Sequence, residues 1–233
     1  MPHPSTAWIP RFWVDDVRFW ALRSAARDFG DNLSFPSVTS IDAHLAPRAG
    51  VRFELQPPRP RRRRRLDRDA LYDTRITREG IVPTRASNWH DFLNALVWAT
   101  FPAAKRALHS RQHRAINARV DGDATRLPGA RTREMDALAI LDEGGAILVC
   151  DATRDGPFEK RVHRVIVFGH AIYENFVCSG PAITARSFVL EAPTRETDDE
   201  ALIEWADAEL ARALARDDTF GEPAAMPHWE FSA

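Results

Sequence analysis

The chain has 233 residues, 44% of them hydrophobic and 28% charged, and a formal net charge of −1. That length allows one large domain or two small ones with a sizeable core, and the near-neutral balance excludes a global field that favours nucleic acid or membrane. Two cysteines, Cys150 and Cys178, exclude a disulfide scaffold and read as free thiols in a reducing compartment.

Met1 to Trp20 mixes Pro, Trp, Arg and Asp instead of forming the apolar run of a secretory signal. From Trp8 to Phe29, Phe12, Trp13, Val17, Trp20 and Ala21 recur at helical spacing and predict an amphipathic helix that stops at Phe29-Gly30. Asn32 to Ala49 reads as loop, with Pro36, Ser37 and Pro47 as breakers. Val51 to Leu55 alternates like a short strand. In "QPPRPRRRRRLDRD" three prolines prevent regular structure, and Arg61 to Arg65 repel one another.

"SNWHD" starts a helix: Ser87 or Asn88 caps the free amides, and Asp91 falls in the first turn, where the helix dipole favours negative charge. Leu93, Leu96 and Val97 give its apolar stripe, and Phe101-Pro102 ends it. A second helix follows from Pro102 to about Arg119, then a loop from Asp121 to Arg131. "DALAILDEGGAILVC" reads as a β-hairpin turning at Glu143-Gly144-Gly145. Lys160 to Val177 suits a helix despite Gly169, and "ITARSFVLE" a strand. Asp198 to Arg216 is a final amphipathic helix, acidic at its start and basic near its end. The uncharged stretch from Phe92 to Ala104 falls short of the ~20 residues of a membrane span, so a cytoplasmic protein without membrane contact is expected.

The sum is a helix-rich α+β protein, a single globular domain with a small, partly antiparallel sheet that includes a β-hairpin near 136–150. Within it, residues 1–56 form an N-terminal helical segment packed on the main body. Residues 57–66 form a Pro/Arg-rich loop or linker, and 67–233 the main domain.

Three polar pairs at i,i+4 fall on expected helices: His90/Asn94, His109/His113 and His170/Glu174. That spacing puts both side chains on one face. Zinc and similar ions take three or four N, O or S ligands, so His90, His170 and Glu174 form a candidate metal set with Asp91 beside it, able to activate water at neutral pH. A chain with eight His shows some such pairs by chance, and a structural His–Glu hydrogen bond is the plain alternative for His170/Glu174. His109/His113, beside Arg111 and Arg114, reads as a solvated face. No CxxC or HExxH spacing occurs.

Asp136, Asp142 and Glu143 form a second, acidic set on the expected hairpin. Carboxylates at a Gly-Gly turn can hold a divalent cation, and the alternative is a solvated hairpin tip. The Arg-rich stretch from Arg59 to Arg85 suits phosphate contacts or a flexible charged loop. Arg85 directly precedes the "NWHD" helix start, where amides plus a guanidinium make an anion site. No P-loop, nucleophile elbow or dinucleotide fingerprint is present.

"YDTRITREGIVPTRASNWHDFLNALVWATFPAAKRAL", "MDALAILDEGG" and "VFGHAIYE" resemble the domain of unknown function 3025, a mainly proteobacterial family. The resemblance covers roughly Tyr72 to Leu190. It implies weight on Arg85, Asn88, His90, Asp91, Asn94, Trp98 and Lys105, and on Asp136, Asp142, Glu143, His170 and Glu174. Ala139 stands where the pattern expects Thr, and "AAMPHWEF" is a loose version of its ending. The family supplies positions and no chemistry.

Together these residues point to a hydrolase, metal-dependent if the groups converge on a divalent ion, acting on a small anionic or phosphate-bearing substrate. His90, Asp91, Asn94, His170 and Glu174 are its expected catalytic groups, with His90 or Glu174 as general base, Asp91 orienting an imidazole and Asn94 stabilising charge. Arg85, Asn88 and Lys105 are expected to hold the substrate. The alternative is a non-catalytic module that binds nucleic acid or another polyanion through Arg59 to Arg85, with the His/Asp/Glu groups as a buried polar network. A third reading docks a partner through Trp8, Trp13 or Trp229.

Overall fold

The computed structural model describes residues 7–56, 71–119, 130–178, 180, 182–192 and 198–231. The Arg61 to Arg65 run, and all of the Pro/Arg-rich stretch 57–66, lie outside them. In place of the loop expected over Asn32 to Ala49, Val38–Ala49 forms helix α1. The Ser37 hydroxyl accepts from the Ser40 amide, and Gly50 closes the other end at φ 64. Ser37 is thus the cap of a helix and not a breaker, and Pro47 sits in the last turn, near the C-terminus. Arg52–Leu55 (β1) follows and pairs in parallel with Ile81–Thr84 (β2), where Phe53 meets Val82 and both are buried.

The two central helices form where expected. Trp89–Thr100 (α2) starts at Asn88, whose side chain accepts from the Asp91 amide, and is buried from Phe92 to Ala99. Pro102–Asn117 (α3) begins with proline at its first position, where the missing N–H has no intrahelical partner to lose.

No hairpin forms near 136–150. Arg133–Gly144 is helix α4, and Gly145–Asp151 (β3) continues directly from it as a strand buried at every residue. Ala137, Leu138 and Leu141 recur at helical spacing and bury one face, so the glycine pair marks a helix-to-strand junction instead of a turn. Lys160 to Val177 also divides, into Val162–Val167 (β4) and helix His170–Val177 (α5), with the break at Phe168-Gly169. Ile183–Ala192 (β5) and Asp199–Ala215 (α6) match expectation, and Asp198 caps α6 through the Glu200 and Ala201 amides. His228–Phe231 (β6) adds an unexpected edge strand.

The larger sheet has the order β4-β3-β5-β6. β3 runs antiparallel to β4 and parallel to β5, and β6 closes antiparallel on β5. The protein is a helix-rich α+β fold with two small sheets, and β3 reads as an unbroken apolar run because it is covered on both faces.

The expected helix from Trp8 to Phe29 is instead a series of turns, a 3-10 helix over Val17–Leu22, one α-turn over Arg23–Ala26 and a second 3-10 turn over Arg27–Phe29. Arg11 adopts φ 54, which a continuous helix cannot accommodate. The aromatic spacing there reflects packing: Trp8 stacks on Trp89 at 5.0 Å, Phe12 sits edge-on to Trp89, and Phe19 lies against Tyr173. Among the described residues no helix is long and apolar enough to cross a membrane.

Candidate metal centre

Three elements deliver side chains to one point. Asn88 caps α2, which places His90 and Asp91 in its first turn. His170 opens α5, and Glu174 stands one turn further on the same face. Glu143 lies at the end of α4, where the chain passes into β3. The junction is locked by close backbone contact: Gly145 O accepts from both the Phe168 and Gly169 amides, at 3.0 and 2.8 Å. A Cβ on Gly145 would lie 2.3 Å from Leu141 O, so only glycine fits there.

His90 Nδ1 is 2.9 Å from Glu174 Oε2. A carboxylate only accepts, so Nδ1 carries the proton and Nε2 presents its lone pair on the opposite side of the ring. There it meets His170 Nε2 at 2.9 Å, with the rings edge to face. Glu143 Oε2 completes the group, 3.3 Å from His170 Nε2 and 3.7 Å from His90 Nε2. These three separations define a circle of roughly 1.9 Å radius, just inside the ~2.0–2.2 Å of zinc bonds to nitrogen and carboxylate oxygen. A small divalent ion would be held by His90 Nε2, His170 Nε2 and Glu143 Oε2 together.

The spacing argument led to His90, His170 and Glu174 as the ligand set. The geometry puts Glu143 beside the two Nε2 atoms, and Glu174 behind His90 as the group that orients its ring. Burial pushes the His170 imidazole down to about 3, so it is neutral at physiological pH. Its buried Nδ1 closes no hydrogen bond of good geometry among the described residues. The hydrogen bond it donates to Glu174 raises His90 above its ordinary value against the opposing effect of burial. Burial likewise raises Glu143.

His90, Glu143 and His170 line a cavity of about 640 Å³, along with Tyr72, Arg85 and Asn94. Arg85 stands at its rim, with a half-exposed side chain. Its Nε and Nη2 bind the two Asp91 oxygens at 2.9 and 2.7 Å, and its backbone amide adds a third contact at 2.6 Å. Asp91 therefore holds Arg85, not an imidazole.

The other expected site residues lie elsewhere. Lys105 is fully buried below the cavity floor and is not a substrate contact. Its ammonium donates to Asp142 Oδ1 and Asn94 Oδ1 at 2.5 and 2.8 Å. Burial opposes ionisation of Asp142, but the adjacent Lys105 overrides it and holds the carboxyl well below the usual range. Asn88 spends its side-chain oxygen on the helix cap. Asp136 sits in the first turn of α4, about two turns from Glu143 along the helix, and takes no part in the cluster.

His109 is not on a solvated face. It is buried, bonded to Asp73 at 2.9 Å and stacked on Trp98 at 5.3 Å. Tyr72 went unnoticed in the sequence, because no local pattern marks it. Its hydroxyl accepts a hydrogen bond from Asn94 Nδ2 at 3.0 Å.

Residues 61–158 match the model of a family described as a protein of unknown function, DUF3025. That span includes His90 and Glu143 and ends before His170. No curated protein and no solved structure matches the chain.

Proposed function

We propose that this chain, whose residues 61–158 match the DUF3025 family model, is a metal-dependent hydrolase whose ion is held by His90 Nε2, His170 Nε2 and Glu143. The observation that carries this reading is the convergence of those three atoms on a circle that fits one small divalent ion. Two imidazoles and one carboxylate are a catalytic zinc set, leaving a position for water whose pKa the ion lowers toward neutrality. Glu174 gives His90 the carboxylate partner that fixes tautomer and ring orientation in such sites.

Charge supports the same reading. Arg85 pairs with Asp91, and Lys105 with Asp142. Glu143 and Glu174 then face two imidazoles with no cation of their own among the described residues, and a divalent ion balances them. Arg85 lines the cavity, and its guanidinium suits an anionic group on the substrate. The polyanion-binding alternative rests on ten arginines, seven of which lie outside the described residues. Of its described arginines, Arg75 and Arg85 are both engaged in ion pairs. A cytoplasmic setting belongs to the same proposal.

The test is metal analysis of untagged protein purified without chelator, before and after addition of Zn²⁺. About one equivalent in the wild type, lost in His170→Ala and reduced in Glu143→Gln, is the expected result. A wild type that neither carries nor takes up a divalent ion overturns the reading.

A further inference from the structure

Lys105, Asn94 and Tyr72 form a hydrogen-bond chain with a fixed direction. An ammonium can only donate, so the Asn94 atom 2.8 Å from Lys105 Nζ is its carbonyl oxygen. The amide nitrogen then faces the other way and donates to Tyr72 Oη at 3.0 Å. With its oxygen accepting, the Tyr72 hydroxyl must give its own proton to something else. Among the described residues no acceptor takes that proton. Tyr72 lines the same cavity as His90, Glu143 and His170.

We propose that Tyr72 is the oxyanion donor of this site, giving a hydrogen bond to the acyl or phosphoryl oxygen of a substrate bound at the His90–His170–Glu143 centre. The inference rests on the metal reading above. A buried positive charge at one end of the chain polarises each link toward the hydroxyl proton, and a donor aimed at developing negative charge in an enclosed site is an effective catalytic group. Burial and the facing carboxylates Asp142, Asp91 and Asp73 push the Tyr72 hydroxyl well above its ordinary value, so it keeps its proton to donate. Tyr72 lines the cavity, so a substrate held there reaches this side chain. The substrate class is an ester, amide or phosphoester whose central oxygen gains charge between the ion and Tyr72.

The chain has two tyrosines, and the second, Tyr173, is buried with its hydroxyl bonded to Val167 O, so it serves as an internal reference. Full-length protein loaded with Co²⁺ would be titrated with inorganic phosphate, in wild type and Tyr72→Phe, following cobalt absorption. In parallel, ¹⁹F spectra of 3-fluorotyrosine-labelled wild type would be recorded, assigning the Tyr72 resonance by its absence in Tyr72→Phe. Expected are equal Co²⁺ affinity in both proteins, about tenfold weaker phosphate binding in Tyr72→Phe, and a phosphate-induced shift of the Tyr72 resonance alone. Equal phosphate affinity with an unmoved Tyr72 resonance overturns the inference and leaves the metal reading standing. So does a cobalt-loaded wild type that binds no phosphate. A wild type that binds no Co²⁺ overturns both. Should Tyr72→Phe fold poorly, a Tyr72→Trp variant supplies the assignment and the wild-type ¹⁹F shift decides.

Discussion

Gly169 lies so close to Glu143 that a Cβ placed on it would sit 2.4 Å from the Glu143 carbonyl oxygen. This contact joins the α4–β3 junction to the start of α5, and it sets His170 beside the Glu143 carboxylate. The Glu143 carbonyl oxygen and the Gly145 nitrogen, also 2.4 Å from that Cβ, are both backbone, so neither yields cheaply. Gly169→Ala is expected to destabilise the protein by about 1–3 kcal/mol and to lower metal uptake, because the strain is relieved by moving His170 away. Gly144, with nothing within 4 Å of an added Cβ, is the control: Gly144→Ala should be neutral or slightly stabilising. Thermal unfolding and metal content of both variants check this. A Gly169→Ala protein with wild-type stability and metal content would show that the contact does not position the site.

Glu174 and Glu143 are separable by their places around His90. Glu174 contacts Nδ1 and Glu143 faces Nε2. Loss of an orienting carboxylate weakens a metal site by about 10–100-fold, whereas loss of a direct ligand costs more. Zinc competition titrations are therefore expected to rank wild type above Glu174→Gln, and Glu174→Gln above Glu143→Gln. The reverse order of the two variants would exchange their roles.

The helices whose ends carry capping residues were legible from sequence. Asn88 and Asp198 start α2 and α6 where their side chains and following acids indicate. The i,i+4 spacing of His170 and Glu174 also placed both on one face, as found. What failed was the reading of glycine. Gly144-Gly145 looked like a hairpin turn, yet it ends a helix and begins a strand, and this hid the position of Glu143. Gly169 looked like a tolerated interruption and is where β4 gives way to α5. Ser37 reads as a breaker in the sequence because the helix it caps contains Pro47. Tyr72 had no signal at all, since its partner Asn94 is 22 residues away and the cation behind Asn94 further still. Local patterns mark caps and faces, while a site assembled from three helix ends depends on packing that no short window contains.

Lys105 and Asp142 form a buried ion pair, with the lysine side chain fully enclosed and the aspartate side chain 12% exposed. Removing one member strands the other charge. Lys105→Met is expected to cost about 3–5 kcal/mol, and the double variant Lys105→Met/Asp142→Asn to recover a substantial part of that. Urea denaturation of the single and double variants measures the coupling. Independent, additive losses would mean that the pair does not act as a unit. The single variant also removes the donor that sets the Asn94 orientation, so phosphate binding at the cavity should weaken with it.

Asp207 reaches from α6 to the start of α3, where its two oxygens accept from the Ala103 and Ala104 amides at 3.0 and 2.7 Å. Pro102 leaves these as the free donors of the first turn, so Asp207 is a cap supplied by another helix. Asp207→Ala should cost about 1–2 kcal/mol, and Asp207→Asn less, since one acceptor oxygen remains. Burial raises the Asp207 carboxyl above its ordinary value, against the pull of the two amides. The folded protein thus holds that proton more tightly than the unfolded chain does. As pH rises from below the unfolded value, the unfolded chain ionises first, and the contribution of this group to stability falls until the folded carboxyl has also ionised. The stability difference between wild type and Asp207→Asn is therefore expected to be larger near pH 4 than near pH 7. A difference that grows with pH would mean that the amides, and not burial, dominate the site.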